Sequence, residues 1–304
     1  MNEKSIIKEN YYTNIKELLL KSEIYDKVKE YSKDRNKVRV YYEIGELLNK
    51  AGKKYGKNII KQYSMKLMVE VGKKYNERNL RYMRQFYVLF TSIKWNPVGS
   101  KLSWSHYREL LALKNKDEIF YYIKICEEQN LSKNQLHEYI KNKKYERLEC
   151  KTITKLLINN ELGLPDLIPN PITIKLSGSI EKLTEYALKQ AILCNLDEFL
   201  LELGFGFTYI GNEFKIKIGN KYNYIDLFLY NIKFRCYVVI ELKVTELKSG
   251  YTGQIQNYIN YVNRNIKTVE ENDTVGIIIC KKNNKFVIDY CSDKRILSRE
   301  YKLI

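Results

Sequence analysis

Two short runs decide how the second half of the chain reads: Y-I-D-L-F-L at 224–229 and V-V-I-E-L-K at 238–243. Each is apolar enough to be a strand buried on both faces. A carboxylate inside such a run is costly unless it is paired or bound to a cation. Asp226 stands alone in the first run. Glu241 and Lys243 lie two apart in the second, so they project from the same face. Adjacent strands would bring the three together at one edge of a sheet. Two carboxylates there could hold Mg²⁺, a hard cation that takes oxygen ligands and keeps several waters. Such an ion activates a bound water and stabilises charge on a phosphate under attack. The residues alone leave a plainer reading open, in which Glu241 and Lys243 form a surface ion pair where a strand leaves the core.

Working outward, the period around these runs changes between helix and strand. Residues 179–203 read as one long helix with Leu183, Ala187, Ile192, Leu196, Leu200 and Leu203 inward, stopped by Gly204 and Gly206. Strand patterns follow at 207–210, 214–218, 222–230 and 236–243, then a helix at 251–265 and strands at 275–280 and 286–290. That order predicts a mixed sheet with helices on its faces. Upstream, E-L-G-L-P-D-L-I-P-N-P carries Pro165, Pro169 and Pro171, and proline removes a donor and turns its predecessor away from helix. The chain therefore divides into a basic helical domain at 1–150, a linker at 151–175 and an α/β domain at 176–304.

The first domain is helical throughout. Val40, Ile44, Leu47 and Leu48 form one stripe, ended by Gly52 and Gly56. Ile59, Ile60, Tyr63, Leu67, Met68 and Val71 form the next, ended by Gly72. Asn76 reads as the N-cap of a helix through Leu80, Met83, Phe86, Tyr87 and Phe90, which Trp95-Asn96-Pro97 breaks. Further helices are expected at 104–113, at 117–128 and from Ser132, where S-K-N-Q has capping-box spacing. Residues 65–90 have the outline of a helix-turn-helix. Lys73 and Lys74 lie in its turn, and Arg78, Arg81 and Arg84 recur every three residues on a broad face of its second helix. They could meet phosphates or guanine edges in a major groove. A helical hairpin with a basic exposed face, one arginine bridged to an acidic neighbour, fits the same pattern. His106 has no second histidine or cysteine nearby and reads as a hydrogen-bonded structural residue.

Charge supports the first of those readings without deciding it. The 304 residues include 53 Lys plus Arg against 36 Asp plus Glu, a net of +17. Residues 1–150 carry a net of +13 and residues 151–304 a net of +4. A basic half beside a nearly balanced one suits a polyanion, nucleic acid first. A chain so rich in Lys, Asn, Ile and Tyr is also what an AT-rich genome produces by drift. No run of about eighteen apolar residues occurs, so a spanning helix is excluded. Residues 1–8 lack the apolar run of a signal peptide, and the six scattered cysteines do not suggest a disulfide scaffold or zinc site. The expectation is a cytoplasmic protein.

The motifs also carry a resemblance. I-D at 225–226 followed by E-L-K at 241–243 is similar to the P-D…(D/E)-x-K signature of the PD-(D/E)XK nuclease superfamily, with Ile225 where proline is often seen. L-L-E-L-G-F-G-F at 200–207, V-V-I-E-L-K and Y-T-G-Q-I-Q-N-Y at 251–258 narrow it to the YhcG family of bacterial nucleases. Y-Y-E-I-G at 41–45, Y-G-K at 55–57, N-L-R-Y-M-R-Q-F-Y at 79–87 and L-S-W-S-H-Y at 102–107 resemble that family's helical N-terminal domain. The resemblance implies an all-α N-terminal domain and an α/β restriction-endonuclease-like domain with an αβββαβ core. It implies that Asp226 and Glu241 ligate Mg²⁺, for which Mn²⁺ can substitute, with the Leu242 carbonyl as a further ligand. Lys243 would orient the water. Glu202 would be an extra acidic contact, with Glu198 one turn earlier as runner-up, and Gln254 would complete the site. DNA is the implied substrate, and a role in restriction or defence the implied setting, alongside restriction-modification proteins. Nucleases of this fold often dimerise, and the oligomeric state stays open with a homodimer among the alternatives. The rival expectation is a catalytically inactive nucleic-acid-binding or assembly module.

Overall fold

A computed structural model describes residues 3–27, 33–56, 58–157, 162–176 and 183–304. They form two compact units, Met1–Tyr145 and Glu146–Ile304. The first holds α1 (Glu3–Lys27), α2 (Lys33–Tyr55), α3 (Ile59–Glu70), α4 (Glu77–Ser92), α5 (Trp104–Leu110), α6 (Lys116–Gln129) and α7 (Lys133–Lys141). The expected stripes face inward: Ile44, Leu48, Ile60, Leu67, Leu80 and Met83 are all buried in one core. The caps also form as the sequence reads. The Asn76 side chain accepts from the Asn79 N–H at 3.0 Å, and Ser132 and Gln135 make a reciprocal capping box. Helix α1 is an addition that the reading did not contain. His106 is structural: the Ser103 N–H donates to Nδ1 at 3.1 Å, so Nε2–H donates to the Leu131 carbonyl at 2.9 Å.

The second unit holds α8 (Cys150–Leu157), α9 (Leu164–Leu167), β1 (Ile172–Ile174), α10 (Glu185–Cys194), α11 (Leu196–Leu203), β2 (Phe207–Ile218), β3 (Lys221–Asn231), β4 (Cys236–Glu246), α12 (Ser249–Asn265), β5 (Asn272–Lys282), α13 (Lys285–Asp289) and β6 (Ile296–Leu303). The sheet order is β1-β6-β5-β4-β3-β2. β2, β3 and β4 pair antiparallel, and the remaining pairs are parallel. Alternation along β4 feeds two cores. Val238, Ile240 and Leu242 pack with Leu188, Ile192, Phe199 and Leu203 of α10 and α11. Val239 packs with Ile255, Ile259 and Val262 of α12 on the other side. The mixed sheet with helices on both faces is therefore present, but four local expectations change.

The expected linker at 151–175 is instead part of the second unit, which begins at Glu146. Leu164, Ile168 and Ile172 are buried in its core, and β1 pairs with β6. The buried Arg299 guanidinium ties the stretch down by donating to the carbonyls of Pro165 at 2.8 Å and Ile168 at 3.1 Å. Prolines there shape a packed segment: Pro165 opens α9, where its missing N–H costs nothing. The single helix expected at 179–203 is two helices, parted at Asn195, whose backbone (φ −126°, ψ 42°) leaves helical geometry; residues 179–182 lie outside the described residues. Residues 286–290 form a helical turn, not a strand. Two parallel strands need a crossover between them, and α13 lies in the crossover from β5 to β6. β6 escaped notice because its buried polar residues, Ser298 and Arg299, break the apolar pattern.

Helix α2 crosses α4 at Gly45, where an added Cβ would stand 2.8 Å from the Tyr87 Cβ and press on the Met83 carbonyl. Gly52, two turns further along the same face, has only the Arg84 guanidinium at 3.6 Å. Gly45→Ala should destabilise the protein by about 1–3 kcal/mol in urea unfolding. Gly52→Ala should stabilise it by roughly 0.5–1 kcal/mol.

Candidate active site

The β3–β4 ladder stops at the pair Leu227 and Ile240. Beyond it the strands part, and the residues read from the sequence fill the gap. Asp226 Oδ2 accepts the Leu242 N–H at 2.9 Å, taking the donor that a continued ladder would have used. Glu241, 2% exposed, points to the α12 side. Its Oε1 is 2.8 Å from Lys243 Nζ, whereas its Oε2 is buried with no hydrogen-bond partner. Lys243 also reaches Glu185 Oε2 on α10 at 3.3 Å, and its ammonium stands 5.1 Å from the centre of the Tyr251 ring. A second ammonium, that of Lys189 one helical turn after Glu185, is buried between Glu213 of β2 and Asp226, 3.4 Å from Asp226 Oδ1. Glu213 sits opposite Asp226 in the register and has a φ of +47°, a left-handed conformation unusual for a glutamate within a strand. Like charges across neighbouring strands repel, and Lys189 offsets that repulsion.

The electrostatics follow from this packing. Burial, then the charge of Asp226, push the Glu241 carboxyl up to about 7 against the pull of Lys243. For Lys243 burial acts downward, but the Glu241 hydrogen bond and charge and the Glu185 charge outweigh it, and the ammonium is held above its ordinary value. Lys189 behaves alike: burial lowers it, and Glu213 with Asp226 more than restore it. The pair Glu241–Lys243 thus keeps a firm cation and a carboxyl that changes charge near neutrality. Tyr258 is raised chiefly by burial, and it also feels Glu241 and Asp226.

The fold brings Asp226, Glu241 and Lys243 together, as the strand pattern suggested. Gln254 is one step removed, donating to the Tyr258 hydroxyl at 2.8 Å. Glu202 is not in this cluster. Its carboxylate forms a two-pronged pair with Arg147, one contact at 3.2 Å, and accepts the Thr173 N–H at 2.8 Å. Glu198 pairs with Lys175 at 3.0 Å. Both lie on α11, which packs against β1 and β2, whereas the helix next to the carboxylates is α10. The acidic residue at the site is Glu185. Its signal was present in E-Y-A-L-K at 185–189, a Glu–Lys pair at i, i+4, but that spacing is also the usual pattern of a solvated helix face.

Among the described residues no group of three His, Cys, Asp or Glu side chains is gathered to hold a metal. The donor set is smaller, two carboxylates meeting at a strand gap. The orphaned Glu241 Oε2 is what fits it to a hard cation, since a buried acceptor without a partner is costly. Mg²⁺ suits so few protein ligands because it retains waters.

In the first unit the turn at 73–75 and Asn76 do separate two helices, but the basic residues do not share one free face. Lys73 is exposed. Lys74 pairs with Glu23 at 2.6 Å, Arg81 donates to Glu77 at 2.9 Å, and Arg78 donates to the Tyr82 hydroxyl at 3.2 Å. Arg84 turns towards α2, 3.4 Å from Asn49 Oδ1. The three-residue step rotates successive arginines around the helix, which spreads them from solvent to the α2 contact.

A mixed sheet with helices on both faces, an aspartate on one strand and Glu-x-Lys on the next, is the arrangement of a PD-(D/E)XK nuclease-like fold. Residues 166–304 match the family described as the YhcG PDDEXK nuclease domain, and residues 20–147 match the DUF1016 N-terminal domain. The chain joins these two family domains in that order. It is 24% identical to "Putative nuclease YhcG" of Escherichia coli (strain K12), over 86% of this chain and 82% of that one. Among solved structures, a repair endonuclease from Pyrococcus abyssi is 16% identical over 42% of this chain and 49% of its own, with a TM-score of 0.28. An EndoMS–dsDNA2 complex is likewise 16% identical, over 42% and 48%, with a TM-score of 0.29. No helix among the described residues is long and apolar enough to cross a membrane.

One outcome follows from the Glu202–Arg147 pair and one from the site's own chemistry. Glu202→Ala removes the carboxylate from the largely buried Arg147 guanidinium and should cost about 3 kcal/mol in denaturant unfolding. Glu241 binds its proton in the folded protein up to about pH 7 but only to about 4.5, its ordinary value, once unfolded. The folded state therefore holds more protons across that window, and its contribution to stability falls as pH rises from 4.5 to 7. Melting curves in EDTA should show this decline, and Glu241→Gln should flatten it.

Proposed function

We propose that this protein is a Mg²⁺-dependent nuclease that hydrolyses phosphodiester bonds of DNA. The observation that carries the reading is the convergence of Asp226, Glu241 and Lys243 where β3 and β4 part, with one buried carboxylate oxygen lacking a partner. Asp226 and Glu241 would hold the ion, and the Leu242 carbonyl, next in the chain to Glu241, is the further ligand in this reading. When bound, the ion lowers the pKa of water and offsets charge on the phosphate. The remaining work belongs to side chains. The Lys243 ammonium, 2.8 Å from Glu241 Oε1, would orient the attacking water by donating a hydrogen bond to it. It also faces the phosphate oxygens, where a fixed cation stabilises the extra charge of the transition state. The water oxygen bonds to phosphorus as its proton passes to solvent, the bond to the leaving deoxyribose oxygen breaks, and that oxygen takes up a proton from solvent. Glu185 keeps Lys243 aimed, and Lys189, 3.4 Å from Asp226 Oδ1, holds that carboxylate in place at the strand gap.

DNA is favoured as the substrate by the net charge of +13 on residues 1–150, which suits binding of a phosphate backbone independent of sequence. In this reading the first unit holds the duplex, with Lys73 and the exposed arginines Arg78 and Arg81 among its contacts, and the second unit cuts. A place in restriction or defence against foreign DNA belongs to the same proposal. Purified protein with Mg²⁺ should cut plasmid or linear DNA, EDTA should stop it, and Asp226→Ala and Lys243→Ala should each lower the rate at least about a hundredfold. Glu202→Ala, assayed below its melting point, should retain cleavage. A wild type that cuts nothing with Mg²⁺ or Mn²⁺, or Asp226→Ala cutting as fast as wild type, rules the reading out.

A further inference from the structure

The β2–β3 hairpin outruns the rest of the sheet. β3 pairs with β4 only from Leu227 to Asn231, but its pairing with β2 continues to Ile218 and Lys221. Residues 214–225 are therefore a two-stranded arm, closed by the turn Gly219-Asn220. Gly219 has a φ of +61°, which glycine adopts without penalty. One face of the arm is covered: Ile216 and Ile225, 1% and 0% exposed, join the core beneath α12. The other face is open. Lys215 lies opposite Tyr224 and Lys217 opposite Tyr222, so all four share it. Tyr222 and Tyr224 are 56% and 48% exposed. The Lys215 ammonium stands 4.0 Å from the centre of the Tyr222 ring. With Lys221 at the tip, residues 214–225 hold three lysines and no carboxylate. Tyr224 is two residues from Asp226, so the arm begins at the candidate active site.

Lysines on an edge strand have an ordinary use, since they discourage pairing with another chain. That accounts for Lys215 and Lys217 but not for two half-exposed tyrosines set against them. A phosphate backbone alone would need the cations and gain little from the rings. Ring faces are useful to bases that are free to stack, and bases inside a duplex are already stacked on one another. Lysine beside tyrosine, continuous with a phosphodiester-cleaving site, is the combination that tracks an unpaired strand by charge and stacking together.

We infer that the arm at 214–225 binds unpaired nucleotides through Tyr222, Tyr224, Lys215 and Lys217, next to the phosphodiester presented to Asp226 and Glu241. The inference rests on the nuclease reading for its orientation, but its test does not. Binding of the full-length protein is read by fluorescence anisotropy in EDTA, where no cleavage occurs. The probes are a labelled unpaired oligonucleotide and the same sequence as a blunt duplex. Tyr222→Ala/Tyr224→Ala should weaken unpaired-strand binding by about tenfold and leave duplex binding within about twofold. Tyr222→Phe/Tyr224→Phe, which keeps the rings, should bind as wild type does, with melting curves confirming that both variants are folded. An alanine variant that keeps its affinity for the unpaired strand, or loses both probes by the same factor, overturns the inference. Selective loss in a protein whose wild type never cuts DNA would support the arm and defeat the nuclease reading, so the two fail separately.

Discussion

The second unit depends on an electrostatic arrangement at one break in a ladder. Where β3 and β4 separate, four carboxylates and two ammonium groups replace the hydrogen bonds and apolar contacts that the strands would otherwise have continued. Each lysine is shared between two carboxylates, so neither chain of charges is complete without α10, which supplies both Glu185 and Lys189. The helix is consequently anchored by charge at one end and by Leu188 and Ile192 in the core along its length. Burial makes these pairs strong and also makes them conditional. Removing a partner of Lys189, Lys243 or Glu241 leaves a largely buried charge less well compensated.

That conditional character is what links stability to chemistry here. A carboxylate with one oxygen tied to Lys243 and the other left without a partner is a poor element of a static core. Burial first, and the charge of Asp226 second, raise its proton affinity. The same logic separates the two buried acid–base pairs of this unit. Glu202 has every oxygen engaged by Arg147 and the Thr173 N–H and serves to fasten Glu146–Ile174 to α11. Glu241 keeps one buried oxygen without a hydrogen-bond partner, beside Lys243.

The boundary between legible and hidden features follows this physics. The inward stripes of the helical unit, the caps at Asn76 and Ser132, and the strands around Asp226 and Glu241 are local patterns, and local patterns survive in one dimension. The choice between Glu202 and Glu185 was not local. Both are glutamates on short helices preceding the first long strand, and only the break at Asn195 decides which helix lies over the strand gap. The segment at 162–176 misled for a related reason. Its prolines look like punctuation, while the residue that holds it in place, Arg299, lies more than 120 positions later.

By itself the amino-acid sequence determined that a helical, strongly basic half precedes a mixed sheet, and that an aspartate and a Glu-x-Lys sit on strands too apolar to carry unpaired charge. Periodicity and the cost of burying a carboxylate are enough for that. Tertiary structure alone decided which acidic residue and which second lysine join them, that Arg84 packs inward while Arg81 faces solvent, and that the proline-rich stretch is core. Those outcomes depend on which distant elements meet, and contact between residues far apart in the chain leaves no periodic trace in either one.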